Sequence, residues 1–127
     1  MMREGTTERL LLRPLEIGDA PRIQELFPHW EIVRFMLNRV PWPYPHDGAF
    51  HYCRDVALPM MERGEEWHWT LRLCSAPEQM IGHLNLMKGE EDNRGFWLSP
   101  PWQGQGLMSE AWEITAKEWR AWKNREK

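Results

Sequence analysis

The stretch Gly95-Phe96-Trp97-Leu98-Ser99-Pro100-Pro101-Trp102-Gln103-Gly104-Gln105-Gly106-Leu107-Met108-Ser109-Glu110-Ala111-Trp112 decides the fold of this chain. Residues 93–99 are aromatic and β-leaning, whereas Ser109 to Ile114 reads as helix. Gln103, Gly104, Gln105, Gly106, Leu107 and Met108 therefore carry a strand into a helix N-terminus. The first-turn N–H groups of a helix have no intrahelical partner, and the positive end of its dipole faces whatever sits there. Glycine at 104 and 106 lets the main chain approach a phosphate with no Cβ in the way. No Gly-Lys-Ser/Thr follows, so this is not a P-loop, and two glycines do not make the three-glycine dinucleotide fingerprint. A tight strand-to-helix loop with no ligand fits the bare Gly-x-Gly equally well.

Working outward, the pattern gives an α+β order. Residues 8–13 alternate as a strand, with Leu10 and Leu12 on one side. Asp19 offers an N-cap to a helix carrying Ile23, Leu26 and Phe27, which Pro28 stops. Ile32, Val33, Phe35, Met36 and Leu37 form a second helical patch. Prolines at 41, 43 and 45 make residues 38–47 an extended, stiff loop. Phe50, Cys53, Ala57 and Met60 recur at helical spacing, and Pro59 is expected to kink or end that helix. Residues 67–73 and 80–87 read as strands joined by a turn at 75–78, and a turn at 88–92 leads into strand 93–98. Short connections between consecutive strands imply a mostly antiparallel sheet flanked by helices.

Four of these segments together resemble the GNAT N-acetyltransferases of the RimJ/RimL branch. They are the Phe96-to-Ala111 stretch, Thr7-Glu8-Arg9-Leu10-Leu11-Leu12-Arg13-Pro14-Leu15 at the start, Val40-Pro41-Trp42-Pro43-Tyr44-Pro45, and Ile81-Gly82-His83-Leu84. The resemblance covers roughly residues 7 to 114, as a single domain. It implies acetyl-CoA as co-substrate, a primary amine as acceptor, and residues 103–108 on the diphosphate. It further implies that main-chain groups of Trp97, Leu98 and Ser99 hold the pantetheine, and that the loop bearing Trp42 and Tyr44 lies beside the acceptor pocket. Many relatives place Glu at the start of the last strand quoted, where this chain has Asn93. Relatives also continue past the helix after the glycine loop, by about 40 to 50 residues at usual element sizes. The fold is accordingly expected to lack its C-terminal part. The competing class is a non-catalytic CoA-binding or oligomerisation module.

Amide formation from a thioester needs a neutral amine and a donor for the developing oxyanion. An α-amine ionises near pH 7.8 and a lysine near 10.4, so a base assists. The candidates are Glu91, Asp92 and His83. Each has a plainer account: Glu90-Glu91-Asp92 as a solvated turn, and His83, like His68, as an ordinary half-buried sheet residue. Trp42 and Tyr44 serve equally as packing anchors under a stiff loop.

A net charge of −3 and a pI of about 6.0 leave no electrostatic footprint for nucleic acid or a membrane surface. Cys53 and Cys74 show no metal spacing and read as free thiols in a reducing cytosol; no metal is expected. No apolar run reaches the roughly 18 residues that span a bilayer, which gives a cytoplasmic expectation. Met108, Trp112, Thr115, Trp119 and Trp122 form one stripe on the final helix. That face packs on the sheet as core, or a shortened fold leaves Trp119 and Trp122 without cover; with an unpaired strand edge beside it, the second reading implies a homodimer.

Overall fold

Alternation along one strand organises the molecule. In β3 (Glu66–Leu73), Trp67, Trp69 and Leu71 are buried on one face of the sheet, while Glu66, His68, Thr70 and Arg72 line the other. The computed structural model describes residues 4–34, 40–87 and 94–113. Around β3, the strands β1 (Gly5–Thr6), β2 (Leu10–Pro14), β4 (Ala76–Met87) and β5 (Arg94–Leu98) complete an antiparallel sheet in the order β1-β2-β3-β4-β5. The turn expected at 88–92, with Glu91 and Asp92, lies outside the described residues. So does the helical stretch expected beyond residue 113, with Trp119 and Trp122.

Each face has its own core. The apolar side of β3 joins Leu10, Leu12, Ile81, Leu84, Leu86 and Leu98 with Leu107 and Ala111. The last two belong to α5, the helical residues 107–113. Across the sheet, α1 (Ala20–Leu26), α2 (Trp30–Val33), α3 (Gly48–Tyr52) and α4 (Leu58–Glu62) gather Leu15, Ile23, Phe27, Val33, Cys53 and Ala57 against Met80 and Trp97.

Three local expectations change. Asp19 does not cap α1: its own backbone is helical, with φ −81° and ψ −15°. A 3-10 turn at Ile17–Asp19 comes first, and the carboxylate accepts from Glu16 N at 2.9 Å and from Arg72 Nη2 at 2.8 Å. The buried guanidinium needs a counter-charge more than the helix end needs a cap. Pro59 does not end its helix: a π-helical segment at Cys53–Ala57 lies directly before α4, and Pro59 occupies the first turn of that element, which runs on to Glu62. A widened turn takes up the ring and the missing donor. The β3–β4 connection is tighter than the expected 75–78 turn: β4 begins at Ala76, and register shifts near Arg72 absorb the difference.

Those shifts matter for the site. Leu71 faces Gly82 and Arg72 faces Met80, so Ile81 is an extra residue in β4. Ile81 packs with the α5 face, whereas His83 lies alongside Trp97 on the helical face. The simple alternation that set His83 in phase with Ile81 is thus interrupted. Gly82 sits where β4 and β5 come closest: a Cβ there would stand 2.7 Å from the Trp97 carbonyl oxygen and 2.9 Å from Leu98 Cδ1. Gly18, by contrast, has open space around it. Gly82→Ala is expected to destabilise the fold by about 1–3 kcal/mol in urea unfolding, as overpacking against backbone does, with Gly18→Ala near neutral.

Candidate acetyl-CoA site

β5 positions the glycine loop. Ser99 N donates to Ile81 O at 3.0 Å, extending the β4–β5 ladder by one residue. Alternation along an antiparallel ladder then turns the Trp97 main chain toward β4, and the Leu98 N–H away from it. Among the described residues β5 has no strand on that outer side. The Ser99 carbonyl accepts from Trp102 N at 3.0 Å, closing a 3-10 turn at Pro100–Trp102. Of Trp97, Leu98 and Ser99, it is Leu98 whose N–H faces outward.

From Gln103 to Gly106 the loop is held by its own side chains. Gln103 Nε2 donates to Leu98 O at 2.7 Å, and Gln105 Nε2 to Pro101 O at 3.1 Å. Gly104 and Gly106 have φ of +76° and +78°, a region that side-chain-bearing residues rarely enter. Around Gly104 there is open space, and the nearest atom to a Cβ on Gly106 would be Arg9 Nη2 at 3.5 Å. Backbone conformation therefore requires both glycines, beyond any need for close approach. Glu110 N donates to Gly106 O at 3.3 Å, so the N–H groups of Leu107, Met108 and Ser109 precede the first intrahelical bond. The Leu107 side chain is buried and that of Met108 packs on the same cluster; only their main chain is available to a ligand.

A tie from the first strands fixes this loop, and sequence reading missed it. Glu110 accepts from Thr7 Oγ1 at 2.5 Å, from Arg9 N at 3.0 Å and from Arg9 Nε at 2.6 Å, while Arg9 Nη1 donates to Gln105 O at 2.9 Å. Half-exposed Arg9 thus offsets a carboxylate that would otherwise stand unbalanced in the first turn of α5. Thr7 and Arg9 lie about a hundred residues from Glu110, and no local motif joins them.

On the helical face, rings connect the proline-rich loop to the sheet. Tyr44 packs edge-on to Phe27 at 5.2 Å, Phe27 meets Trp97 at 5.4 Å, and Trp97 stacks on His83 at 6.2 Å between centroids. Tyr44 is wedged over Gly48, where a Cβ would stand 2.7 Å from its ring, and burial pushes its hydroxyl pKa up to about 12. It is a packing anchor. Trp42, at 44 % exposure, is the member of the pair facing solvent.

His83 leads into a buried chain. His68 Nδ1 lies 3.0 Å from His83 Nε2, and His68 Nε2 lies 2.8 Å from Glu66 Oε1. Burial, and then the neighbouring His68, hold the His83 pKa well below the ordinary histidine value, so this ring is neutral. The β3–β4 register, reached through the shifts near Arg72, sets His68 opposite Asn85 and one diagonal step from His83. Cys53 is buried, and its thiol is pushed up to about 11 by desolvation and then by Asp19. Among the described residues no His/Cys/Asp/Glu cluster could hold a metal, and no helix is long and apolar enough to cross a membrane.

An antiparallel sheet whose outer strand runs through a glycine-opened loop into a helix defines an acetyltransferase architecture. The chain belongs to the acetyltransferase (GNAT) domain family, which matches residues 9–125. Its solved-structure neighbours include ribosomal-protein acetyltransferases of the RimL/RimJ type. RimL, a ribosomal L7/L12 alpha-N-protein acetyltransferase solved in complex with coenzyme A, superposes with a TM-score of 0.71 at 19% identity, over 92% of this chain and 67% of that one. A ribosomal-protein-S5-alanine acetyltransferase from Vibrio fischeri gives 0.66 at 14% identity, over 91% and 66%. An acetyltransferase from Agrobacterium tumefaciens str. C58 gives 0.61 at 23% identity, over 87% and 63%. At these identities the likeness shows the fold, and the chain spans about two thirds of the neighbours' length. No curated protein matches the chain in sequence.

The Glu110 tie has a pH signature. Thr7 first, then the Arg9 main chain and side chain, hold the Glu110 pKa below the ordinary carboxylate value. A carboxyl lowered in the folded state stabilises above its unfolded pKa and loses that contribution as pH falls through the folded one. Wild type is therefore expected to exceed Glu110→Gln in melting temperature at pH 7. The gap should narrow as pH drops through about 4, the usual carboxylate range.

Proposed function

We propose that this chain transfers an acetyl group from acetyl-CoA to a primary amine, a protein N-terminus or a small-molecule amine, in a single-domain GNAT fold. The observation that carries the reading is the pair of left-handed glycines at 104 and 106, set between an outer strand and the free N–H groups of Leu107, Met108 and Ser109. Those groups suit a diphosphate: unpaired donors converge at a helix start, and Arg9 offsets the one carboxylate beside them. The outward Leu98 N–H is the proposed hydrogen-bond partner of the pantetheine, with Trp97 and Ser99 shaping the strand that presents it. Bound acetyl-CoA supplies the activated acyl group. The chain's own residues orient it, exclude water and accept a proton from the attacking amine.

Neutral, buried His83, stacked on Trp97 at the acceptor side, is the proposed base among the described residues. Glu91 and Asp92 remain alternates, and separate alanine variants distinguish all three. Trp42 is proposed to face the acceptor, with Tyr44 supporting the loop from below. The names of the neighbours favour a protein N-terminus, since RimL acts on an α-amine and the Vibrio fischeri enzyme on an alanine of S5. Free Cys53 and Cys74 fit a reducing cytosol.

The test is direct. Calorimetry should show CoA binding to wild type and a loss of at least about tenfold, equivalent to about 1.4 kcal/mol, in the Gly104→Val, Gly106→Val double variant. Turnover of acetyl-CoA should appear with one member of a panel of N-terminal peptides and small amines. Equal CoA affinity in the double variant sinks the site assignment; CoA binding with no turnover across the panel favours the non-catalytic module.

We further propose a homodimer through the outer edge of β5. Phe96 is 50 % exposed there and meets the Trp112 ring edge-on at 5.8 Å, giving an apolar strip beside an open ladder. Light scattering should report twice the chain mass, and Phe96→Lys should return the monomer; a monodisperse wild-type monomer at high concentration contradicts the dimer.

A further inference from the structure

Glu66, His68 and His83 form a line of hydrogen-bonding groups across β3 and β4, and nothing in the cofactor site accounts for it. The His68 ring is fully buried, His83 keeps 7 % exposure, and the Glu66 side chain is largely covered. A polar row this deep is costly to bury unless every member is satisfied. Among the described residues no buried side-chain nitrogen or oxygen lacks a partner.

The contacts fix the protons. A carboxylate only accepts, so the 2.8 Å contact requires the proton on His68 Nε2. In neutral His68 the other nitrogen, Nδ1, is then an acceptor, and the 3.0 Å contact requires the proton on His83 Nε2. That leaves His83 Nδ1 with a free lone pair, on the ring that stacks against Trp97. Sequence alternation treats His68 and His83 as separate sheet residues; the geometry orders them head to tail.

From this we infer that Glu66 and His68 act as a proton store behind His83, so that the positive charge created when the acceptor amine gives up a proton ends on His68 beside the Glu66 carboxylate. The inference rests on the acetyl-transfer reading. As the amine nitrogen bonds the acetyl carbon and the carbon–sulfur bond breaks, one amine proton passes to His83 Nδ1. The His83 Nε2 proton moves to His68 Nδ1. The positive charge then rests on His68, in contact with Glu66, and His83 is neutral again. Return of the proton to the departing thiolate restores the starting state and yields an amide and a free thiol. His83 is the catalytic base; His68 and Glu66 are positioning residues that act through it.

Burial explains the need for the store. Desolvation opposes an imidazolium at His83, and Glu66 Oε1, 2.8 Å from His68 Nε2, stands where it balances a charge passed to His68. The surrounding groups do not supply that charge. Tyr52 of α3 lies edge-on to His68 at 6.1 Å, and burial and then Glu66 raise its hydroxyl pKa, so it stays neutral. Cys53, on the next turn, also stays protonated. Asn85, opposite His68 in β4, is uncharged, and Arg72 is committed to Asp19.

Two readouts test this, one independent of turnover. Long-range proton–nitrogen spectra of the imidazole rings, from pH 5 to 8.5, should show both rings protonated on Nε2 at the basic end. On acidification the first proton should arrive on His68 Nδ1. Glu66→Gln should lower the pH of that event by about one unit or more, since a carboxylate favours a charged neighbour by that order, and Glu66→Asp should fall between. The second readout is kcat/KM with acetyl-CoA and a peptide bearing a free N-terminal serine. The ratio of wild type to Glu66→Gln cancels the acceptor's own ionisation. It should be about tenfold or more at high pH, within the usual reach of acid–base assistance, and shrink as pH falls and the wild-type store fills. A His68 ring carrying both protons throughout, a first proton on His83, or a flat ratio despite shifted ring midpoints overturns the store. Absence of wild-type turnover overturns the transferase reading instead, and the ring spectra still decide whether the proton order exists.

Discussion

The close approach of β4 to β5 at Gly82 is the constraint on which the site depends. With no side chain at 82, the Trp97 carbonyl comes within reach of β4, and the ladder continues to Ser99 through its bond to Ile81. This register has two consequences. It turns the Leu98 N–H outward and starts the 3-10 turn that delivers Gly104 and Gly106 to the head of α5. It also sets Trp97 opposite His83, so that the strand proposed to hold the cofactor and the proposed base share one cross-strand pair. The extra residue at Ile81 lets a single strand serve both cores, sending Ile81 to one face while His83 stays on the other.

Electrostatics divides the sheet in the same way. The α5 face is apolar, and its charges gather at the rim, where Arg9 and Glu110 tie β2 to the glycine loop. The opposite face buries a polar row along β3. There Arg72 and Asp19 satisfy each other at one end, and His68 and Glu66 at the other. Paired charges tolerate burial where single ones do not. The row therefore survives inside a helix-covered core, beside the ring proposed as the base.

Much of this was legible in the sequence because the signals are local. Leu10 and Leu12, the Trp67/Trp69/Leu71 alternation and the glycine-to-helix transition each lie within a few residues, and each appears where expected. What escaped is long-range. The Thr7–Arg9–Glu110 tie joins opposite ends of the chain, and the His68–His83 contact depends on hairpin register with a bulge in it. Asp19 misled because an N-cap residue and the partner of a buried arginine look alike until Arg72 is placed. Pro59 was read as a place where the helix kinks or ends; with a π turn directly upstream, the helix runs on past it to Glu62. For glycines 104 and 106 close approach to a ligand was the expected reason, and positive φ is what the backbone itself requires.

The claim that main-chain donors of one outer strand and one helix start form the cofactor site is most directly tested by following backbone amide signals of nitrogen-15-labelled protein during titration with CoA. The account predicts saturable shifts concentrated at the N–H groups of Leu98, Gly104, Gly106, Leu107, Met108 and Ser109, with β1 and the outer part of β2 unmoved. Saturable shifts centred elsewhere, with those six amides unchanged, contradict it.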